Sequence, residues 1–212
     1  MPANLSTHLP IYAVQNRANS TPLTDALAEA ASQTFVPGTP VEINASGYCA
    51  EWDGTTVSNG ILGVAESSGQ NLASAGAGAP TAPFGGITGK GAISSYGSVP
   101  NMPNAYNIAL GTPIADGRTL YVEANLDNVF EAMCDNSAGA VAADWTMTQA
   151  RLAPGSNQFG LTKDANGYWY VDFGKTGASA VLEVVGVNSL DGLIANARVR
   201  FKFLLAAIQT LG

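Results

Sequence analysis

Residue types that could catalyse a reaction are few and scattered in this chain of 212 residues. His8 is the only histidine, and it lies in a polar N-terminal stretch where we expect it to be solvated. A Ser-His-Asp or Cys-His site needs a histidine beside its nucleophile as general base, so no such site is expected. The carboxylates do not cluster at metal-ligand spacing either. We therefore predict no catalytic residue, no metal and no cofactor.

Paired carboxylates are the one catalytic arrangement that the sequence leaves open. A glycosidase needs two Asp or Glu side chains a few Å apart, flanking the bond that is cleaved. Glu123, Asp127 and Glu131 are close in sequence and are the candidates for such a pair. The distance between them does not follow from the sequence, so a glycosidase-type enzyme is kept as the third hypothesis.

The two cysteines, Cys49 and Cys134, each lie inside an apolar segment. Such residues usually act as small buried hydrophobic side chains. Their spacing fits no zinc motif, and two cysteines do not make a disulfide scaffold. We predict two buried free thiols.

Two tyrosines could form a recognition surface on a predicted hairpin. The residues 164–167, Asp-Ala-Asn-Gly, are typical of a tight turn, and the strand that follows places Trp169 on one face with Tyr168 and Tyr170 on the other. Exposed aromatic rings can stack on a sugar, but tyrosine is also enriched in subunit interfaces. We favour the interface and keep a carbohydrate-binding or adhesion module as the second hypothesis.

A basic face is predicted on the last strand. Residues 198–203 alternate basic and apolar side chains, so Arg198, Arg200 and Lys202 share the face opposite the core. The chain has only nine Lys and Arg, and three of them lie here. This face is predicted either to meet an acidic partner or to protect the strand from edge-to-edge pairing.

Composition argues against several other classes of function. The formal net charge of -7 and the lack of a basic run argue against nucleic-acid binding through phosphate contacts. No apolar stretch approaches the roughly 20 residues that span a bilayer. No basic region followed by an apolar one marks a secretory signal at the N-terminus. We predict neither a nucleic-acid nor a membrane partner.

One helix is predicted near the N-terminus. Thr21 is a plausible N-cap and Pro22 suits the first helical position. An apolar stripe at helical spacing follows. Its members are Leu23, Ala26, Leu27, Ala30 and Ala31. The helix is expected to end near Ser32 or Gln33.

The rest of the chain predicts an all-β fold, a barrel or sandwich of short antiparallel strands. Short apolar stretches are separated by turn pairs such as Pro37–Gly38 and Asp53–Gly54. Residues 1–33 are predicted to form an N-terminal arm and the short helix. Residues 34–137 are predicted as a β-barrel-like domain with a long Gly/Pro-rich insertion at 67–113. This insertion is either a functional loop that lies on a partner or a segment that contains short strands, for example at Gly91–Tyr96. Residues 138–212 form a C-terminal β region of the same domain or of a second one.

Two segments carry a resemblance to a known family. The run from Val36 to Gly54 contains a Gly-Thr-Pro-Val strand and a Trp-Asp-Gly turn, and Gly60-Ile-Leu-Gly-Val-Ala follows. Together with residues 185–203, they resemble the capsid decoration (cement) proteins of tailed bacteriophages, in which similar motifs build a small β-barrel. The resemblance covers about residues 34–66 and 180–205. The long loop and the predicted helix depart from the simplest members.

The resemblance implies a virion structural protein that binds the outer surface of the capsid shell and stabilises it. Its partners would be the major capsid protein and further copies of itself, with a homotrimer favoured over a dimer. It would be made in the host cytoplasm and located on the capsid surface. The predicted interface residues are Arg198, Arg200, Lys202, Tyr168 and Tyr170. The second hypothesis then becomes a carbohydrate-binding or adhesion module exposed on a virion.

Overall fold

A computed structural model describes residues 8–16, 24–30, 33–54, 60–66, 119–124 and 128–209. The described residues are mostly β-strands, which confirms the predicted all-β class. The strands are β1 (Tyr12–Asn16), β2 (Thr24–Ala28), β3 (Pro40–Ile43), β4 (Cys49–Glu51), β5 (Gly63–Ala65), β6 (Thr119–Ala124), β7 (Asn128–Asp135), β8 (Gln158–Lys163), β9 (Trp169–Asp172), β10 (Leu182–Val187) and β11 (Arg198–Phe203). Within these ranges the helical segments are short 3-10 helices at Ala142–Trp145, Gln149–Leu152, Gly177–Ser179 and Leu205–Ala207. No helix in the described ranges has the length and hydropathy that a bilayer crossing requires.

Strands β7 to β11 form a closed barrel, which we call the C-terminal barrel. Neighbouring strands follow the order β7-β11-β10-β8-β9. The ring closes because the end of β7 pairs in parallel with β9, with Cys134 opposite Val171 and Asp135 opposite Asp172. Strand β1 is added outside this ring, antiparallel to the first half of β7.

Strands β2 to β6 form a second ring, the N-terminal barrel. Their order is β2-β6-β5-β3-β4. Glu29, directly after β2, forms a parallel bridge with Cys49 in β4. The backbone N–H of Ala30 also donates to the carbonyl oxygen of Cys49 at 2.7 Å. These contacts close the five-stranded barrel.

The two barrels repeat one topology. Counting strands from the first of each barrel, both follow the order 1-5-4-2-3, and both close by a parallel contact between strands 1 and 3. Their β-hairpins have the same register: Val41 faces Glu51 in β3–β4, and Leu161 faces Val171 in β8–β9. Each residue of the first hairpin lies 120 positions before its counterpart in the second. The chain therefore contains two structurally equivalent units.

The register of the remaining strands supports this equivalence. Strand β6 pairs with β2 and β5, and β11 pairs with β7 and β10. Ala28 faces Thr119 in the N-terminal barrel, and Glu131 faces Arg200 at the corresponding place in the C-terminal barrel. Positions in one barrel can therefore be compared with positions in the other.

The predicted N-terminal helix is wrong. Residues Thr24–Ala28 form β2, which pairs with β6 over five consecutive positions from Thr24–Glu123 to Ala28–Thr119. Alanine and leucine favour a helix in isolation, but propensity is a weak preference that tertiary pairing overrides. Pairing with β6 also satisfies the backbone groups of this segment, which a helix would otherwise have satisfied internally.

The two barrels share a continuous set of buried side chains. Trp52, Ile61 and Val64 of the N-terminal barrel belong to the same hydrophobic cluster as Phe130 and Phe201 of the C-terminal barrel. Near the C-terminus, Ile61 and Ile208 form a parallel bridge. Gly60 has a φ of 71°, and a Cβ there would lie 2.4 Å from the backbone nitrogen of Gln209. Glycine is required for this approach.

The predicted domain limits can be compared with these barrels. The chain passes from the N-terminal to the C-terminal barrel between β6 and β7, whereas the predicted limit at residues 137–138 follows β7. Residues 67–113 lie between β5 and β6, and they are outside the described residues. The same holds for residues 1–7 and 17–20 of the predicted arm. The number of domains stays a prediction.

Candidate functional site

The last strand has the predicted alternation of faces. Val199, Phe201 and Phe203 are buried, and the three basic residues between them are half-buried. Two of those residues already have acidic partners within the chain. Arg198 donates from Nη2 to Oδ1 of Asp191 at 2.7 Å, and Arg200 Nε lies 3.4 Å from Oε2 of Glu131. Their contact with another protein stays a prediction.

Lys202 differs from the two arginines. It lies opposite Glu183 in the β10–β11 register. Among the described residues, no carboxylate lies within ion-pair distance of its ammonium group, whereas Arg198 and Arg200 both have one. Of the three predicted basic contacts, Lys202 is therefore the one whose charge is available to an acidic partner.

Glu131 is the centre of a buried polar network. The Tyr12 hydroxyl donates to its Oε1 at 2.5 Å, and the amide of Asn188 donates to both carboxylate oxygens at 3.0 Å. Burial, followed by this hydrogen bond and the Glu131 charge, raises the pKa of Tyr12. Glu131 thus ties β1 to the loop after β10.

The loop after β10, residues 188–197, is held rigidly by its own polar groups. The backbone N–H groups of Asp191 and Gly192 both donate to the carbonyl of Asn188 at 3.1 Å. The side chain of Asp191 accepts hydrogen bonds from the backbone N–H and the guanidinium of Arg198. The hydrogen bond between the two side chains contributes most to holding the pKa of Asp191 below its usual range. The same bond raises the pKa of Arg198. We call this segment the β10–β11 loop.

The far side of the β10–β11 loop is held by the connection between β7 and β8. Met147 donates its N–H to the carbonyl of Ile194 at 3.0 Å, and Asn196 donates to the carbonyl of Trp145 at 3.1 Å. Ala195 forms an isolated antiparallel bridge with Thr146. Both ends of the loop are therefore fixed to the C-terminal barrel.

This fixed loop presents large apolar side chains to solvent. Leu190 is 86% exposed, Ile194 52% and Leu193 42%. Asp191 is the only charged residue of the loop, and its charge is paired with Arg198. A group of exposed apolar residues on an ordered segment is a common mark of a protein–protein contact. Sequence reasoning missed this loop, although Leu-Asp-Gly-Leu-Ile after β10 is visible in the sequence.

The two predicted tyrosines lie in different environments. Trp169, Val171 and Phe173 are buried. Tyr170 is buried too, so the expectation that it is an exposed aromatic ring is wrong. Tyr168 is half-buried, and its place in an interface stays a prediction.

Tyr170 is buried because the His8 ring stacks on it. The ring centroids are 4.1 Å apart and the planes differ by 16°. Burial, together with the charges of Asp172 and Asp135, raises the pKa of the Tyr170 hydroxyl. The Tyr170 ring face under His8 is unavailable to a sugar in this arrangement.

His8 itself is buried between two carboxylates, so the expectation of a solvated histidine is wrong. Its Nε2 lies 3.0 Å from Oδ2 of Asp135, and its Nδ1 lies 3.1 Å from Oδ2 of Asp164. The backbone N–H of His8 also donates to that Asp164 oxygen at 2.9 Å. Burial alone would raise the pKa of Asp164, but hydrogen bonds from the His8 and Tyr168 backbones and the His8 ring hold it below its usual value.

The other candidate reactive groups are occupied or buried. Cys49 and Cys134 are both buried free thiols, as predicted, and burial raises the pKa of each to about 12. Glu131 accepts the hydrogen bonds described above. The side chain of Glu123 and all of Asp127 lie outside the described part of the chain. Among the described residues, no three His, Cys, Asp or Glu side chains are grouped in a way that could hold a metal ion.

Comparison with known proteins finds no relative of this chain. No protein-family model, no curated protein and no solved structure matches the chain. The functional argument therefore depends on the residues of this chain and on the resemblance of its short motifs.

Proposed function

We propose that this chain is a capsid decoration (cement) protein, a non-enzymatic virion component that binds the outer surface of the capsid shell and stabilises it. The observation that carries the proposal is the rigid β10–β11 loop with its exposed leucine and isoleucine side chains. The motif resemblance of residues 34–66 and 180–205 supplies the class of partner, a major capsid protein.

The β10–β11 loop is suited to binding a preformed surface. Because its backbone is already fixed by Asn188 and Asp191, little conformational entropy would be lost on binding. Its charge is neutralised internally, so the surface that it fits is apolar and uncharged. Lys202 on the neighbouring strand would meet an acidic group beside that surface.

Weak single contacts would suffice on a shell. A capsid repeats the same site many times, and an oligomer that binds two or three sites at once gains affinity through effective concentration. A homotrimer, favoured over a dimer, would place three copies of the loop on one side of the oligomer. The long connection between β5 and β6 stands at the same place in the N-terminal barrel as the β10–β11 loop does in the C-terminal barrel.

The direct test is cosedimentation with shells assembled from the major capsid protein of the same genome. We expect saturable binding at a fixed ratio to coat subunits. Leu190→Ser is expected to weaken it about tenfold or more, because a leucine side chain contributes about 1.5–3 kcal/mol when it is buried.

Leu205→Ser is the matched control, since Leu205 is 77% exposed and lies outside the loop. We expect its binding to equal that of the unmodified chain. If the unmodified protein does not sediment with shells at any concentration, the proposed function is wrong. If both serine variants bind like the unmodified chain, the loop is not the contact.

A further inference from the structure

The structure contains a peptide-binding site that is filled by the chain's own N-terminus. Residues 8–16, which we call the N-terminal segment, lie on the C-terminal barrel in an extended conformation that includes β1. We infer that this site also takes residues 8–16 of a second copy, so that copies exchange their N-terminal segments when they assemble. The inference does not depend on the proposed function.

The N-terminal segment is an addition to a barrel that is complete without it. Strands β7 to β11 already close through the β7–β9 pairing. The equivalent N-terminal barrel also closes with five strands. Strand β1 therefore occupies an edge of β7 in the way that a peptide adds a strand to an existing sheet.

The site recognises three features of the segment. The His8 ring lies between the carboxylates of Asp135 and Asp164, with Nε2 3.0 Å from the first and Nδ1 3.1 Å from the second. Ile11 is buried in the main hydrophobic cluster. The Tyr12 hydroxyl donates to the buried Glu131. A histidine followed three positions later by an aliphatic and then an aromatic residue is thus the pattern that the site selects.

The N-terminal barrel contributes one further contact. Gly38 has a φ of 82°, and a Cβ at this position would lie 2.5 Å from the backbone nitrogen of Ile11. The segment therefore packs closely against the Pro37–Gly38 turn.

A second copy is the occupant that these contacts favour. The hydrogen-bond partners of His8 and of the Tyr12 side chain lie 119 to 156 positions away in the chain, so these contacts depend little on local chain connectivity. Every contact is preserved if the segment comes from an identical neighbour, which is the condition for strand exchange.

Disulfide trapping between full-length chains tests the exchange. Gln15 and Val129 face each other in the β1–β7 register. One chain carries Gln15→Cys and a size tag at its C-terminus, and the other carries Val129→Cys without a tag. The two are mixed, unfolded and refolded together at high concentration, and oxidised. Exchange predicts a cross-linked species that contains one chain of each kind.

A double variant, with Gln15→Cys and Val129→Cys in one chain, shows whether the pair can form a disulfide. If the double variant forms its disulfide within single chains at all concentrations and the mixture gives no mixed species, the exchange is overturned. The native thiols do not interfere, because Cys49 and Cys134 are buried. A mixture with Ser156→Cys in place of Val129→Cys is the negative control, since Ser156 is exposed and is not a partner of β1.

The specificity of the site is tested in the same assay. Adding His8→Ala to the chain that carries Gln15→Cys is expected to reduce the mixed species about tenfold or more, because it removes hydrogen bonds to charged groups. Leu9→Ala in the same chain is expected to leave the yield unchanged. Equal yields for His8→Ala and the unmodified segment would contradict the proposed recognition.

Discussion

The two barrels share a topology but differ in where polar groups are buried. In the C-terminal barrel, Glu131 faces Arg200 and forms the network that fixes the β10–β11 loop. At the same place the N-terminal barrel has Ala28 facing Thr119. One scaffold therefore occurs twice, with different residue pairs at this place in its two copies.

A second difference lies at the hairpins. Asp164 and Asn44 make the same turn, in which Oδ1 accepts the N–H groups two and four positions later. Only Asp164 also binds His8. Tyr170, on which the histidine stacks, corresponds to Ala50 in the other hairpin. The shared turn is structural, and the features peculiar to the C-terminal barrel bind the N-terminal segment.

The largest expected effect is the loss of an aromatic side chain from the C-terminal core. Phe130 is fully buried, and its ring centroid lies 5.1 Å from that of Phe203. We expect Phe130→Ala to lower the free energy of unfolding by about 3–5 kcal/mol, measured by urea denaturation, because a large cavity remains.

The matched variant in the N-terminal barrel is Phe35→Ala. Among the described residues, Phe35 is buried in a cluster of five, whereas Phe130 belongs to the larger cluster that joins the two barrels. Fewer buried neighbours leave more room for the site to relax, so we expect a smaller loss. Equal losses for the two variants would show that the barrels are equally well packed.

The next prediction concerns the Glu131 network of the C-terminal barrel. Glu131→Gln is expected to lower the free energy of unfolding by about 2 kcal/mol, because Arg200 and Asn188 lose a buried carboxylate partner. The β10–β11 loop should also become sensitive to limited proteolysis. Glu183→Gln, on the half-buried face of β10, is the control and is expected to change both readouts little. Resistance of the loop in Glu131→Gln would contradict its fixation by Glu131.

The two hairpin turns offer a reciprocal pair of variants. Asp164→Asn keeps the turn, since asparagine makes it at position 44, but removes the charge beside His8. We expect a loss of about 1–2 kcal/mol in the free energy of unfolding. Asn44→Asp keeps the equivalent turn and is expected to change stability by about 0.5 kcal/mol or less. Similar effects of the two substitutions would contradict a special role for the His8 contact.

The same pair predicts a dependence on pH. The folded-state pKa of Asp164 is lowered, so its contribution is present above the unfolded pKa of about 3.9 and is lost as the pH falls through the folded value. Between pH 7 and pH 3, the unmodified chain should therefore lose more stability than Asp164→Asn does. Denaturation curves across this range give the comparison, and parallel losses in the two proteins would contradict it.

The part of this fold that could be predicted from the sequence is the part where local pattern and tertiary pairing agree. Residues 198–203 alternate strictly, and the structure has Val199, Phe201 and Phe203 inside. At β2, alanine and leucine at helical spacing favour a helix. The segment is a strand instead, because it pairs with β6, about 95 positions away. A contact of that range leaves no local signal.

The candidate site was predicted less well. Its basic residues were placed on the correct face, but their acidic partners Asp191 and Glu131 were sought in another protein. The burial of His8 could not be predicted, because Asp135 and Asp164 lie 127 and 156 positions away. One signal of the duplication was visible: Asn-Ala-Ser-Gly-Tyr at 44–48 and Asp-Ala-Asn-Gly-Tyr at 164–168.

The last prediction uses the two cysteines as probes of the two barrels. Cys49 lies in the N-terminal barrel and Cys134 in the C-terminal barrel, and both are fully buried. Burial raises the pKa of each thiol to about 12, so at pH 8 about one in ten thousand molecules carries a given thiolate. Labelling with iodoacetamide in the native state therefore requires local opening.

We expect Cys49 to be labelled before Cys134, because its smaller cluster of buried residues should open at a lower free energy. Mass spectrometry of peptides after timed labelling separates the two sites, and labelling in denaturant gives their intrinsic rates. Equal protection of the two thiols would show that the barrels open as one unit, as the bridge between Ile61 and Ile208 permits. Faster labelling of Cys134 would reverse the order of stability that the buried clusters of the two barrels predict.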